Sequence, residues 1–274
     1  VGDISGGSGT ERLATGANSL DLTGVNLANV EELEGTGGAT TFTVTSGQLG
    51  TLGTFVGGAA GSTLEVTGTT LNASCLTLPN VDTFTTSNTT GTNFTGTGNA
   101  DTITGNSGDD TIAGGAGEDT ISGGAGADTL MGAAGDRLVG DFGGDTFDLT
   151  GLDGDVEIVD ATPADRFVFG RSDLDLDDVA MTTRVADGTT STLLRPDLDG
   201  DGADAADPRV VLAGVSAASL AVRDGPEGGT ALGLAGPSGQ TVFLSGDAGV
   251  SLGEGEHVSG VGSVPGTDDG TGMG

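Results

Sequence analysis

The chain contains no lysine, tryptophan or tyrosine, and it has one cysteine (Cys75) and one histidine (His257). A single cysteine excludes an intramolecular disulfide and a cysteine-based metal site. Because Cys75 lies in an apolar run, we expect a buried structural thiol. Without lysine the chain has no P-loop and no Schiff-base nucleophile, and no nucleophile motif accompanies His257. These absences predict that the chain is not an enzyme.

Positive charge and large side chains are also scarce. Lys and Arg together number 8 against 40 Asp and Glu, which gives a net charge of −32. Nucleic acid and anionic lipid are poor partners for such a surface, and no apolar run reaches membrane-spanning length. With 55 glycines and only 9 aromatic residues, all Phe, a thin core of stacked Leu, Ile and Val fits better than a wide one. We expect the chain to stay close to disordered until cations neutralise it.

What the sequence does contain is a nine-residue pattern that repeats through residues 96–148. Full units begin at Gly96, Gly105, Gly114, Gly123 and Gly140, and a unit shortened by one residue begins at Gly132. The shared form is G-x-x-G-x-D-x-U-x, in which U is a large apolar residue. The acidic position is filled by Asp101, Asp110, Asp119, Asp128, Asp136 and Asp145, and the apolar position by Ile103, Ile112, Ile121, Leu130, Leu138 and Phe147.

The spacing of this pattern has a physical reason. A three-residue run with one apolar side chain is a minimal strand that points one side chain inward. The residues before it must turn, and glycine permits the positive φ angles that tight turns need. Asn99 replaces one such glycine, and asparagine also enters the left-handed region. The turns gather carbonyl and carboxylate oxygens, which suit calcium. The predicted ligands are the six aspartates and the glycines Gly105, Gly108, Gly114, Gly117, Gly123 and Gly126.

This nonapeptide resembles the repeat of the RTX (hemolysin-type calcium-binding) family. The resemblance implies a parallel β-roll in which two nonapeptides form one coil and calcium lies between like turns of neighbouring coils. It implies that Asp101, Asp119 and Asp136 line one edge of the roll. Asp110, Asp128 and Asp145 would line the other edge, and the two edges together would hold about four ions.

Residues 1–95 are predicted to form an irregular β-solenoid that leads into the calcium-binding β-roll of residues 96–148. An offset of 51 residues aligns Leu13 with Leu64 and Asn29 with Asn80, which suggests two duplicated cassettes. Threonine runs in this region favour strands. A hydroxyl ladder of the ice-binding kind is the less favoured interpretation, because no T-x-T column recurs at one fixed spacing.

After Phe147 the nonapeptide stops and longer strand candidates appear. We predict that residues 149–262 form an antiparallel β cap or sandwich, which closes the open end of the solenoid, and that residues 263–274 form a flexible tail. Asp187-Gly188 is a hairpin signal. The fold class predicted for the chain is therefore all-β: a parallel β-solenoid or β-roll followed by an antiparallel cap.

A second metal motif lies in the carboxyl half. Asp197, Asp199 and Asp201, with Gly202, form D-x-D-x-D-G, the start of an EF-hand-type calcium loop. Pro208 occupies the position of the expected glutamate. Asp204 or Asp207 is then the candidate to complete the site.

These features predict a secreted, calcium-binding structural protein: a bacterial surface-layer, adhesin or extracellular-matrix component that self-associates and has a cell-surface glycan as a further candidate partner. The tail lacks the apolar ending usual in a type I secretion signal, so the export route stays open. One alternative is the RTX folding and export module of a larger secreted lipase, protease or epimerase. A less favoured alternative is an ice- or polysaccharide-binding solenoid.

Overall fold

The computed structural model describes residues 2–59, 61–162, 164–169, 179–186, 189–201, 205–215, 220–224, 230–234 and 243–245. The predicted turn at 187–188, His257 and the tail at 263–274 lie outside these residues. Within these residues one four-residue helix, α1 (Ser46–Leu49), interrupts strands and turns. No helix in the described ranges is long and apolar enough to cross a membrane.

The amino-terminal strands are short and separated by turns. They are β1 (Gly2–Ser5), β2 (Arg12–Thr15), β3 (Ser19–Asp21), β4 (Val25–Ala28), β5 (Glu32–Gly35), β6 (Thr41–Thr45), β7 (Thr54–Val56), β8 (Ser62–Thr67), β9 (Thr70–Asn72), β10 (Val81–Thr86) and β11 (Asn93–Thr95). The nonapeptide units supply β12 (Thr102–Ser107), β13 (Thr111–Ala113), β14 (Thr120–Ala125), β15 (Thr129–Met131), β16 (Arg137–Phe142) and β17 (Thr146–Asp148).

The carboxyl half continues with eight further strands in the described residues. They are β18 (Val156–Ile158), β19 (Arg166–Val168), β20 (Val179–Ala186), β21 (Thr189–Pro196), β22 (Val210–Leu212), β23 (Leu220–Asp224), β24 (Thr230–Leu234) and β25 (Phe243–Ser245).

Three sheets run along the coils. The long sheet has the order β20-β21-β22-β18-β16-β14-β12-β10-β8-β6-β3, the short sheet β25-β19-β17-β15-β13-β11-β9, and the third sheet β2-β5-β7. From β10 to β19 successive strands alternate between the long and short sheets, so each coil there has two sides. Before β10 the third sheet adds another side to each coil. The predicted parallel β-solenoid is therefore confirmed, with three-sided coils that give way to a two-sided roll.

The core is one stack of apolar side chains per sheet. In the long sheet Phe42 pairs with Leu64, and the stack continues through Phe84 and Ile103 to Ile121. These five residues are fully buried. In the short sheet Phe147 and Phe167 stack with ring centroids 5.4 Å apart. In the nonapeptide strands a single apolar residue thus suffices, because each one rests on its counterpart in the next coil, whereas β6 and β8 bury two apolar residues each.

The coil, rather than the 51-residue offset, is the structural repeat. Parallel partners in the amino-terminal half are 19 to 23 residues apart, as in Val81 with Ser62 and Gly2 with Val25. The offset instead relates Leu13 on the third sheet to Leu64 on the long sheet. Asn29 and Asn80 do share positive φ values of 54° and 59°, so the offset aligns two similar corners and not two whole cassettes.

The parallel ladders continue beyond residue 148, where the nonapeptide pattern ends. Leu138 pairs with Ile158 and Phe147 with Phe167, which adds one more two-sided coil. Strand β22 then joins β18 in parallel, and the β20–β21 hairpin adds to β22 antiparallel. The antiparallel hairpin thus ends the long sheet, whereas the strands at 156–158, 166–168, 210–212 and 243–245 pair in parallel within the range predicted to be an antiparallel cap.

Cys75 is exposed, so the predicted buried thiol is wrong. It lies in the turn that follows β9, where Ser74 donates its backbone N–H to Asn72 Oδ1 at 3.0 Å. This side-chain turn ends the strand before Cys75 and leaves the thiol on the outside of the corner.

Truncation of a core side chain should destabilise the roll far more than truncation of its neighbour. Leu130→Ala removes a side chain with no exposure, whereas Met131→Ala on the same strand removes one that is 42% exposed. We expect Leu130→Ala to lower the free energy of unfolding by about 2–5 kcal/mol, because it leaves a cavity in the stack. Urea denaturation at saturating calcium would measure both variants. Equal losses would contradict the stacked-core account.

Candidate metal centre

All six predicted aspartates lie at the corners of the two-sided roll and are buried. Their exposed fractions range from 1% to 4%. Each one directly precedes the three-residue core of a strand, so the chain turns at the aspartate and extends immediately after it. Asp101, Asp119 and Asp136 open strands of the long sheet, and Asp110, Asp128 and Asp145 open strands of the short sheet. The predicted division into two edges is what the structure shows.

Each edge is held by a ladder of hydrogen bonds from backbone to carboxylate. Asp101 donates its backbone N–H to Asp119 Oδ1 at 2.8 Å, and Asp119 donates its own to Asp136 Oδ1 at 3.0 Å. On the other edge Asp110 donates to Asp128 Oδ1 at 2.7 Å and Asp128 to Asp145 Oδ1 at 2.9 Å. In every ladder aspartate except Asp101, one carboxylate oxygen therefore joins its own coil to the preceding one.

The second carboxylate oxygen has two different environments. In Asp110, Asp119 and Asp128, Oδ2 is buried and meets no hydrogen-bond donor among the described residues. In Asp101 and Asp136, Oδ2 instead accepts the backbone N–H of Thr97 at 2.6 Å and of Ala133 at 2.8 Å. The unsatisfied oxygens belong to the three aspartates of the units that begin at Gly105, Gly114 and Gly123.

The predicted glycines make room for these carboxylates and for close stacking of the turns. A Cβ at Gly105, Gly114 or Gly123 would collide with Oδ2 of the aspartate in the same unit. The other predicted glycines adopt positive φ, at 98° for Gly108, 126° for Gly117 and 150° for Gly126. A Cβ at Gly126 would collide with the carbonyl oxygen of Gly108 in the preceding coil. Backbone carbonyls and carboxylates thus crowd into the same corners.

Asn99 was predicted to adopt a left-handed conformation, which is wrong. Within the nonapeptide units Asn106 is the asparagine that adopts it. Asn99 is absent from the residues with positive φ, whereas Asn106 adopts a φ of 86°. Asn99 donates its backbone N–H to Thr97 Oγ1 at 3.1 Å, a local turn that needs no left-handed residue. Asn106 is held by its amide, which donates to the carbonyl oxygen of Thr86 at 2.6 Å.

Burial raises the pKa of all six carboxyl groups. Desolvation raises the pKa of Asp110 and of Asp119 to about 6, and neighbouring carboxylates add to the effect. The pKa of Asp145 rises to about 7 for the same reasons, with Asp165 among the neighbours. None of the ladder aspartates forms a salt bridge with an arginine in the described ranges. Their charge must therefore be balanced by protons or by a cation from solution.

The residues present fit calcium. Unsatisfied carboxylate oxygens beside backbone carbonyls form an all-oxygen donor set, with no thiol or imidazole among the ladder residues. Asp110, Asp119 and Asp128 are the residues best suited to hold ions, because each one keeps a buried oxygen that nothing else in the described chain engages. A bound cation would neutralise the corners and cross-link successive turns.

Sequence reasoning missed one carboxylate of the ladder, Asp165. Asp165 is 2% exposed, and its Oδ1 accepts the backbone N–H of Asp145 at 2.9 Å. Its Oδ2 accepts the N–H of Thr162 at 2.6 Å. The available signal was an aspartate two residues before Phe167, which keeps the D-x-U part of the pattern after the glycines are lost.

A hydroxyl takes the place of the carboxylate in the amino-terminal coils. Ser62 is 3% exposed, and its Oγ accepts the backbone N–H of Thr40 at 2.9 Å and of Gly58 at 3.0 Å. Thr40 lies one coil earlier and Gly58 lies in the turn before Ser62. The hydroxyl therefore makes both kinds of contact that Asp136 makes, without a charge.

The second predicted metal motif forms a different cluster from the one expected. Asp197, Asp199 and Asp207 bring carboxylate oxygens within 4.8 Å of one another, in the loop between β21 and β22. Asp197 and Asp207 are buried and Asp199 is exposed. Asp201 is not among these three residues, and its backbone N–H donates to Asp199 Oδ1 at 3.2 Å. Gly202 and Asp204 lie outside the described residues. Calcium binding at this loop stays a prediction.

Comparison with known proteins agrees with the geometry. A family model for the RTX calcium-binding nonapeptide repeat matches residues 95–130, in four copies. This segment therefore carries RTX calcium-binding repeats, and the strands on either side of it continue the same parallel solenoid. None of the curated proteins compared with the chain matches it.

Loss of one ladder carboxylate should weaken calcium binding, whereas loss of a neighbouring surface carboxylate should not. Asp119→Asn removes a buried charge in the centre of an edge, and Glu118→Gln makes the same change on an exposed residue beside it. We expect Asp119→Asn to raise the calcium midpoint about tenfold or more, because a ligand is lost. Calcium titration followed by circular dichroism would measure both. Similar midpoints for the two variants would show that Asp119 is not a ligand.

Stability without metal should decrease as pH rises. The raised pKa values mean that the folded state binds more protons than the unfolded state between about pH 4 and about pH 7, so this stability is lost as pH rises through that interval. In EDTA, the β-sheet signal should be greatest at acid pH. Calcium requires deprotonated ligands, so its affinity should increase over the same interval. Titrations across this range would test both trends, and an affinity independent of pH would contradict them.

Proposed function

We propose that the chain is a secreted, calcium-dependent structural protein: a bacterial surface-layer, adhesin or extracellular-matrix component that folds and assembles when it binds calcium. The observation that carries this proposal is the set of buried, unsatisfied carboxylate oxygens at the corners of the roll. Without a cation these corners hold uncompensated charge in a chain whose net charge is already −32. The ion is therefore a condition of the fold and not an accessory to it.

Dependence on calcium suits a protein that acts outside the cell. Calcium-binding extracellular modules bind with dissociation constants of about 10⁻⁴–10⁻³ M. A site of that affinity stays unloaded inside the cell, so the acidic chain remains unfolded there and folds after export. We therefore propose that the chain is secreted before it folds.

Self-association is supported by the surface of the roll. Phe142 is 82% exposed and Met131 is 42% exposed, and both lie in the calcium-binding segment. Arginines offset few of the surface carboxylates, so calcium is available as a bridge between acidic faces of different molecules. Assembly would then begin only after the roll has formed, because Phe142 is positioned by strand β16.

Calcium titration of EDTA-stripped protein, followed by circular dichroism and light scattering, tests folding and assembly separately. We expect β signal to appear at about 0.1–1 mM calcium, followed by large ordered particles. Magnesium is the control, since it demands a stricter geometry and loses its water reluctantly. Equal responses to both metals would contradict a specific calcium site.

The outcome also separates the two classes of function. Folding to a lasting monomer would refute assembly and favour an RTX folding and export module of a larger secreted enzyme. The length of the native polypeptide, measured by mass spectrometry, would then show whether a catalytic domain accompanies these residues. No response to calcium at all would refute both functions.

A further inference from the structure

The outer face of the long sheet carries two columns of side chains that are almost all hydroxyl-bearing. In β6, β8, β10, β12 and β14, the residues on either side of the buried core residue point outward. One column comprises Thr41, Thr63, Thr83, Thr102 and Thr120, and the other comprises Thr43, Glu65, Thr85, Thr104 and Ser122. We call these ten residues the threonine face.

The columns are aligned in space although they are not periodic in sequence. Thr41 and Thr63 are 22 residues apart, whereas Thr102 and Thr120 are 18 apart, yet both are direct partners across neighbouring strands. A register shift between Val81 and Thr83 keeps Thr83 opposite Thr63. Coils of unequal length therefore present one regular array, which is why the sequence alone did not reveal it.

The composition of the threonine face contrasts with that of the chain. It contains eight threonines, one serine and one glutamate, in a protein with 40 acidic residues. The hydroxyl of Thr43 donates to Glu65 Oε2 at 3.1 Å, and that of Ser122 donates to Asp141 Oδ2 at 2.5 Å. No hydrogen bond within the described residues involves the side chains of Thr41, Thr63, Thr83, Thr85, Thr102, Thr104 and Thr120. These hydroxyls are available to an external partner.

The chemistry of this face excludes most classes of partner. Nucleic acid and anionic lipid require positive charge, and the face has none. Protein partners are usually anchored by aromatic residues or arginine, and the face has neither. Aromatic rings, which supply flat stacking platforms for sugars, are also missing. What remains is a neutral surface of methyl and hydroxyl groups that repeats about every 4.8 Å across strands and about every 6.6 Å along them.

We propose that the threonine face binds ice. A surface that repeats in two directions matches a partner that does the same, and the water lattice of a crystal is such a partner. The hydroxyls hydrogen-bond to ordered water, while the methyl groups exclude disordered water between them. The proposal goes beyond the structural role and does not depend on assembly.

The outer face of the short sheet is a natural control. Its first column also contains threonine, as at Thr111 and Thr129, but its second column includes Ala113, Met131 and Asp148. Thr129 follows Asp128 directly, as Thr102 follows Asp101. A bulky substitution at Thr129 therefore tests the same local context on a face that lacks the array.

Ice binding would be measured on the calcium-loaded full chain by its incorporation into slowly growing ice and by inhibition of ice recrystallisation. We expect the protein to enter ice and Thr102→Tyr to lose that property, because tyrosine suits a strand but disrupts the surface. Thr129→Tyr should behave as the unsubstituted chain. Thr83→Val, which keeps shape but removes a hydroxyl outside the calcium-binding coils, should weaken incorporation even if Thr102→Tyr does not fold.

Circular dichroism and the calcium midpoint verify that each variant folds. Exclusion of the folded, calcium-loaded chain from ice would overturn the proposal, as would equal losses in Thr102→Tyr and Thr129→Tyr. Pull-down by insoluble cellulose or chitin, abolished by Thr102→Tyr, would reassign the face to polysaccharide and also overturn it. Because these measurements use folded protein and no assembly readout, their failure is distinct from failure of the structural role.

Discussion

Each central aspartate of the roll has two opposing effects on folding, and the rest of the structure depends on them. Its Oδ1 oxygen accepts a backbone N–H from the preceding coil and so fixes the stacking of coils. Its Oδ2 oxygen is brought into the same dry corner with no donor to satisfy it. A carboxylate buried in this way opposes folding unless its charge is neutralised. The same side chain therefore defines the fold and makes it conditional on the solution.

Different amino acids occupy the same ladder position at the corners of successive coils. Aspartate occupies it in the nonapeptide units, Asp165 extends it beyond them, and Ser62 occupies it in the amino-terminal coils. The corners differ in whether the second acceptor site receives a hydrogen bond from the chain. Where the turn offers an N–H, as at Thr97, the corner is complete by itself. In Asp110, Asp119 and Asp128 no such donor reaches Oδ2, and the corner has an unsatisfied oxygen.

The sequence predicted the local nonapeptide pattern well, but it did not predict how strands of neighbouring coils align. The nonapeptide located the six buried aspartates and their two edges, because one unit has one inward residue and one turn. Asp165 escaped, because its unit has lost the glycines that mark a turn. The hydroxyl ladder was disfavoured from the sequence, because coils of 18 to 22 residues and a register shift at Val81 have no common period. Cys75 was misplaced because apolar neighbours do not reveal a side-chain turn.

Because the molecule has two kinds of corner, its coils differ in how much they depend on calcium. A corner closed by Ser62 carries no charge and is complete at any calcium concentration. A corner that contains Asp119 is complete only when the ion is present. In a linear stack each ordered coil is a template for the next. The coil closed by Ser62 thus needs no ion to complete its corner, and the calcium concentration of the solution sets how far along the stack the ordered coils extend.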